Sequence, residues 1–233
     1  MLMLDAFIPG RALSAEAETT VMPTTKAPPF PCQHLTVETS LRDGRTVDLR
    51  PLRRGEHAPV QRVFAGLSPR SRYLRFLAPL PQLPAPMLHT LTDVDHRGHS
   101  AWVALHDKDP VGLARAVRTR KDPSAAEIAV AVVDREHRCG IASALLRVLA
   151  VATADVGITT WRWTATLDNM PVRQLTHALA VDHTARIDGL IEGRTVLPAP
   201  RSVNCALVRY LAAAAADDAP TICSGEYFFS RSD

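Results

Sequence analysis

The sequence predicts an α/β (α+β) fold with a mixed central β-sheet of about six to seven strands and helices on both faces. Three observations predict it. Residues 100–134 hold three strand-like runs joined by short turns, which make an antiparallel meander. The run IASALLRVLAVATADVG (141–157) has helical spacing, apolar at 141, 145, 148, 149 and 152, and closes on Gly157. That helix stands between two β-rich runs, so the chain passes from hairpins to strand–helix–strand units and the sheet becomes mixed.

Each element follows in order. Residues 1–33 are rich in Ala, Thr and Pro and end in KAPPFPC, so they read as a flexible tail. The domain proper is expected over 34–200. It opens with a hairpin, LTVETSLRDGRTVDLRPL, whose turn is Asp43-Gly44. Val60, Val63, Phe64 and Leu67 then recur at helical spacing. Ser68-Pro69 starts a second short helix, since Ser caps well and Pro suits the first helical position. The proline cluster PLPQLPAP ends it, and MLHTLTDV reads as another short helix. SAWVALHD, VGLARAVRTR and AEIAVAVVD are the meander, turning at Lys108-Asp109-Pro110 and at KDPSA. After the long helix come a β run ITTWRWTATL, a helix NMPVRQLTHALA and two β runs near 182–187 and 193–197. Residues 201–233 are expected to hold a C-terminal helix and a tail with three consecutive aromatics.

Composition excludes several classes. Aromatics are 5%, so the core must be aliphatic. The net charge of +3 is too mild for a nucleic-acid binder. Cys32, Cys139, Cys205 and Cys223 form no CxxC pair and lie at no metal-ligand spacing with His, which argues against a zinc module or a disulfide scaffold. No metal is expected. Free thiols suit a reducing, cytoplasmic location. No apolar run approaches the ~20 residues of a membrane span, and the N-terminus lacks the basic region of a signal peptide. The segment 42–75 carries nine arginines against three acidic residues, a surface for phosphates or an acidic partner, or simply a solvated face.

The strongest local feature is AEIAVAVVDREHRCGIASALL. A strand ends near Asp134, and a Gly-containing loop enters the long helix. A helix N-terminus offers unpaired N–H groups and a positive dipole end to phosphates, and Gly140 lets backbone approach an anion closely. No Walker loop is present.

This combination resembles the GNAT acyl-CoA-dependent N-acetyltransferases. Their pyrophosphate loop reads Q/R-x-x-G-x-G/A; here it reads His137-Arg138-Cys139-Gly140-Ile141-Ala142. Gly140 and Ala142 match, and His137 departs from the pattern, with Arg138 available as a positive charge. LSPRSRYLRF (67–76) is similar to a helix of the branch with the bacterial protein lysine acetyltransferases. AEIAVAVVD resembles that branch's fourth strand, and Leu167 to Arg173 resembles its L-x-x-N-x-x-M/A-R helix opening. The resemblance spans about residues 45–197. It implies transfer of acetyl from acetyl-CoA to an amine, on a protein lysine or a small molecule, by a monomer or homodimer. It implies Glu127 as general base, on a strand face shared with Ala129, Ala131 and Val133; as a lone carboxylate among small apolar residues, its pKa should rise. A backbone N–H at Val132 or Val133 would stabilise the thioester oxyanion. Asn169 and Arg173 would lie on the pantetheine side. The thiolate's proton donor is unassigned, because no Tyr lies between 74 and 209; His177, His183, Tyr210 and Tyr227 are the alternatives. A catalytically weak acyl-CoA binder is the rival reading.

Overall fold

The structure, a computed structural model, describes residues 36–41, 43–170, 172, 181–187, 189–197 and 222–223. The strands are β1 (Val37–Ser40), β2 (Thr46–Pro51), β3 (His99–His106), β4 (Asp109–Arg118), β5 (Ala125–Val132), β6 (Thr160–Thr166), β7 (Val181–Ile187), β8 (Leu190–Val196) and β9 (Ile222–Cys223). The helices are α1 (His57–Ala65), α2 (Pro69–Phe76), α3 (Ala85–Thr92) and α4 (Ile141–Asp155). The strands form one sheet in the order β7-β8-β6-β5-β4-β3-β2-β1-β9. β1 and β2 are the two arms of the expected hairpin and β3 to β8 the further strands the sequence predicts; the two-residue β9 pairs with β1 at one edge. The helix expected from Asn169 and the C-terminal helix fall mostly outside the described residues, as does the tail.

Local chemistry sets the element ends. Gly44 sits at φ 83° in the β1–β2 turn, a conformation that favours glycine. The Ser68 hydroxyl accepts from the Ser71 N–H at 3.2 Å, and Pro69 follows it as the first residue of α2. The β3–β4 turn falls on Asp107 and Lys108, both at positive φ, and Pro110 joins β4. The turn is therefore one residue earlier than its proline suggests.

The sheet is mixed. β2 to β5 pair antiparallel in sequence order, and β5 then pairs parallel with β6. Its two faces are unlike. On one face α4 packs across β3, β4 and β5. A Cβ on Gly112 would meet Leu145 and Ile141 of α4 at 3.0 and 3.1 Å, so the glycine gives that helix its seat. Trp161 and Trp163 share this face, as their alternation with Arg162 predicts. The buried Trp161 indole donates to the Thr153 hydroxyl of α4 at 3.1 Å, and Trp163 donates to Thr195 of β8 at 3.3 Å. The opposite face carries Arg115, Glu127 and Ala129, with α1 and α2 over β4 and β5. The core is aliphatic, with Leu49, Leu52, Ile128, Leu145, Leu146 and Leu149 almost fully buried. Among the described residues no helix is long and apolar enough to cross a membrane.

Gly193 of β8 lies against the Trp163 ring, and a Cβ there would stand 1.9 Å from it. Gly193→Ala is therefore expected to cost about 1–3 kcal/mol of stability through overpacking. Urea unfolding reads this directly, and an unchanged midpoint would show that the indole moves aside freely.

Candidate functional site

The site grows from the way β5 and β6 part. They pair over three residues only, Ala125–Glu127 with Thr160–Arg162. β5 continues to Val132 and β6 to Thr166, yet no ladder joins them further. β6 stays with β8 and β5 with β4. The sheet is thus split from the level of Glu127 onward.

Backbone polarity follows from the register. The Val133 N–H donates to the Val111 carbonyl at 2.9 Å, so odd-numbered residues of β5 bond to β4. Even-numbered residues turn their N–H and C=O the other way, into the split. Of the two N–H groups expected at this end of the strand, Val132 therefore faces the opening. Val133 does not, because its N–H is already committed; this corrects the sequence expectation. The Val132 carbonyl is taken by the His137 ring, whose Nε2–H donates to it at 2.8 Å. The departure at His137 thus ties the loop to the end of β5.

The loop itself is a chain of constrained residues. A single 3-10 turn, Asp134–Glu136, is followed by His137, Arg138 at φ 68° and Gly140 at φ 98°. Nothing lies within 4 Å of a Cβ built on Gly140, so open space adjoins that backbone. Ile141 begins α4, and its side chain is buried against the sheet, leaving its N–H as its polar contribution. Ala142 is small and partly buried, packed against the core. Cys139 Sγ accepts from Arg45 Nη2 at 2.8 Å, while Arg45 also bridges to Asp43 and Glu136 at 2.7 Å each. This Arg45–Glu136 pair, 91 residues apart in sequence, braces the loop, and sequence reading missed it.

The loop is also braced from the other face. Gly66 packs so closely on Val133 that a Cβ would stand 2.5 Å from its side chain, and the Asp134 N–H donates to the Gly66 carbonyl at 3.1 Å. The Ser68 N–H donates to the Asp134 carboxylate at 3.3 Å. Burial pushes that carboxyl up, but hydrogen bonds from Ser68 and Ser71 and the nearby His137 more than offset it and hold it below the usual value.

Asn169 is 1% exposed and lies just past β6. Its neighbour Asp168 pairs with Arg70 of α2 at 2.6 Å, tying the two sides of the split together at the surface. Arg173 and His177 fall outside the described residues, as does the side chain of His183. Tyr73 of α2 is the one tyrosine among the described residues, and it is exposed. Five arginines of the 42–75 segment pair with carboxylates: Arg45, Arg50, Arg54, Arg62 and Arg70. Much of its positive charge is therefore neutralised locally.

Glu127 is half-buried on the α2 face, beside Ala129 and Ala131. It is not a lone carboxylate. Arg115, diagonal to it across β4 and β5, is within electrostatic reach, and the Glu127 charge favours the Arg115 cation. The premise that apolar neighbours alone set its basicity therefore fails. Arg115 is flanked along β4 by Leu113 and Val117, both apolar. That alternation was the signal for a buried arginine. Among the described residues, no group of three or more His, Cys, Asp or Glu is placed to hold a metal ion.

Comparisons with known proteins bear on this arrangement. Residues 70–179 match the sequence model of the acetyltransferase (GNAT) family. A curated relative, Acetyltransferase PA5475 of Pseudomonas aeruginosa, is 32% identical over 112 residues; the match spans 46% of this chain and 60% of the relative's length. The GNAT domain of S. lividans PAT superposes with a TM-score of 0.66 at 25% identity, covering 70% of this chain and 98% of that one. The cAMP-binding acyltransferase from Mycobacterium smegmatis shares the fold with a TM-score of 0.56 at 23% identity, over 78% of this chain and 54% of that one.

His99, at the edge of the α2 face, gives a test of this packing. Burial, and then the Arg115 charge, push its pKa down to about 4 from 6.5. A lowered value means that the unfolded chain binds the proton first, so stability is lost as pH falls from 6.5 toward 4. Urea midpoints at pH 7 and pH 5 should differ, and His99→Gln should shrink the difference. An unchanged slope in that variant would place the titration elsewhere.

Proposed function

We propose that this chain, which belongs to the acetyltransferase (GNAT) family, transfers an acetyl group from acetyl-CoA to an amine, on a protein lysine or a small molecule. One juxtaposition carries the reading: the split between β5 and β6 opens beside the Arg138–Gly140 turn and the start of α4. The backbone N–H groups of Cys139, Gly140, Ile141 and Ala142 would hold the pyrophosphate, with Arg138 adding charge. The open space at Gly140 fits such an approach. The pantetheine arm would run down the split, past Asn169 and Arg173, as the family resemblance implies.

The chemistry then follows from the residues in place. The amine nitrogen attacks the thioester carbonyl carbon. The oxygen gains charge and is held by the Val132 N–H, which faces the split. The amine's proton passes to Glu127, directly or through water. The tetrahedral intermediate collapses, the C–S bond breaks, and CoA leaves as a thiolate that takes a proton from solvent. A second reading, a catalytically weak acyl-CoA binder, is favoured by the Arg115 charge beside Glu127. A positive neighbour favours the ionised carboxylate and makes it a poorer base.

Thiol release with an amine panel tests the reading. Glu127→Gln should lower kcat about 10²–10⁴-fold while acetyl-CoA affinity stays the same. Full turnover in that variant would end the base assignment. Binding without turnover in the wild type would leave the binder. Gly140→Val should weaken acetyl-CoA binding about tenfold, since a β-branched residue is strained at φ 98°. Unchanged affinity by calorimetry would remove the loop from the cofactor site.

A further inference from the structure

Two cations on the α2 face remain unexplained by this chemistry. Arg75 of α2 and Arg115 of β4 have exposures of 6% and 5%. Neither guanidinium donates a hydrogen bond to a described residue, and Arg115 Nε is fully buried without a partner. Among the described residues, Arg75 finds only the Phe76 ring, 4.8 Å from its guanidinium carbon to the ring centre. The two arginines repel each other, and Glu127 is the carboxylate within reach of Arg115. Burial pushes Arg75 down to about 10 and Arg115 to about 9, so both stay charged near neutral pH. Among the described residues, two cations and one carboxylate leave one positive charge without a counter-ion. A buried guanidinium with unused donors is costly to hold, and its planar fork matches an oxyanion.

We propose that Arg75 and Arg115 form an anion subsite beside Glu127 that takes the carboxylate of the amine acceptor. The idea rests on the acetyl-transfer reading and names its substrate class. The charge balance selects the ligand. One uncompensated cation suits a monoanion, whereas a phosphate group brings about −1.5 to −2 at neutral pH and meets Glu127 as a like charge. Geometry sets the acceptor's length. Arg115 pairs with Ala129, and Glu127 pairs with Val117, so the two side chains are diagonal neighbours on one face, with backbone positions roughly 7–8 Å apart. An amine and a carboxylate a few bonds apart bridge such a gap, the carboxylate on the arginines and the nitrogen at Glu127.

Matched acceptors test the proposal. L-lysine and cadaverine differ by one carboxylate. The blocked dipeptides acetyl-Asp-Lys-amide and acetyl-Asn-Lys-amide make the same comparison for a protein-borne acid. The wild type should favour the acid-bearing member of one pair by about tenfold or more in kcat/KM. Which pair shows it tells a free amino acid from an acidic sequence. Arg115→Met and Arg75→Met should each bring that ratio close to unity. Both variants are expected to fold, because each removes a buried cation and the half-buried Glu127 keeps access to solvent, and circular dichroism checks this. A ratio near unity in the wild type, or one that survives both variants, overturns the proposal, as does tighter binding of inorganic phosphate than of acetate. If no amine releases thiol, the transfer reading fails separately. Calorimetry with L-lysine then judges the subsite alone: binding in the wild type and loss in Arg115→Met support it, and equal binding or none overturns it.

Discussion

Much of this structure depends on three residues of parallel pairing between β5 and β6. A parallel pair needs a long crossover, and the loop and α4 supply it. Were the pairing to continue, the even-numbered N–H and C=O groups of β5 would be spent on β6. Because it stops at Glu127 and Arg162, the remaining polar edge of β5 is left facing the split. Each strand is held by its other neighbour, β5 by β4 and β6 by β8, so neither needs the missing bonds. The helix face stays closed meanwhile. Trp161 is anchored to α4 through Thr153, and Trp163 fills the space that Gly193 leaves.

The two faces of the sheet divide the work. The α4 face is packed with aliphatic side chains and all three indoles, and its stability comes from burial. The α2 face admits charge. Arg50, Arg54, Arg62 and Arg70 of the early segment find carboxylates near the surface, pairs worth little individually. Arg45 differs: it reaches Glu136, which is 7% exposed, and so fixes the turn that presents the α4 N-terminus. Arg75 and Arg115 differ again: both are buried, and among the described residues neither donates a hydrogen bond to a carboxylate.

Much of the fold was legible in the sequence because its signals are local. The Asp43-Gly44 turn, the Ser68-Pro69 cap and the period of residues 141–157 each act within a few residues. The split between β5 and β6 has no local signal, since nothing in AEIAVAVVD or ITTWRWTATL says where their pairing ends. Long-range contacts escaped altogether. Arg45 with Glu136, Gly66 against Val133, and His137 on the Val132 carbonyl are settled by tertiary packing. Val132 and Val133 stay alternatives in the sequence for the same reason: choosing the free N–H requires the β4 register. Glu127 was placed on the correct face, but its neighbour Arg115 belongs to another strand, and a single-strand pattern does not report it.

That neighbour changes what the carboxylate can do. A base gains from a higher proton affinity, and a desolvated cation beside it works the other way. An acceptor whose own carboxylate meets Arg115 and Arg75 would cancel part of their field as it arrives. Glu127 would then become a better proton acceptor when the correct acceptor is bound, and stay a weak one otherwise. An amine lacking the acid would meet the weaker base as well as the poorer subsite. Selectivity would therefore enter through kcat as well as KM. The arginines, though they touch no reacting atom, would couple recognition of the acceptor to the step that removes its proton.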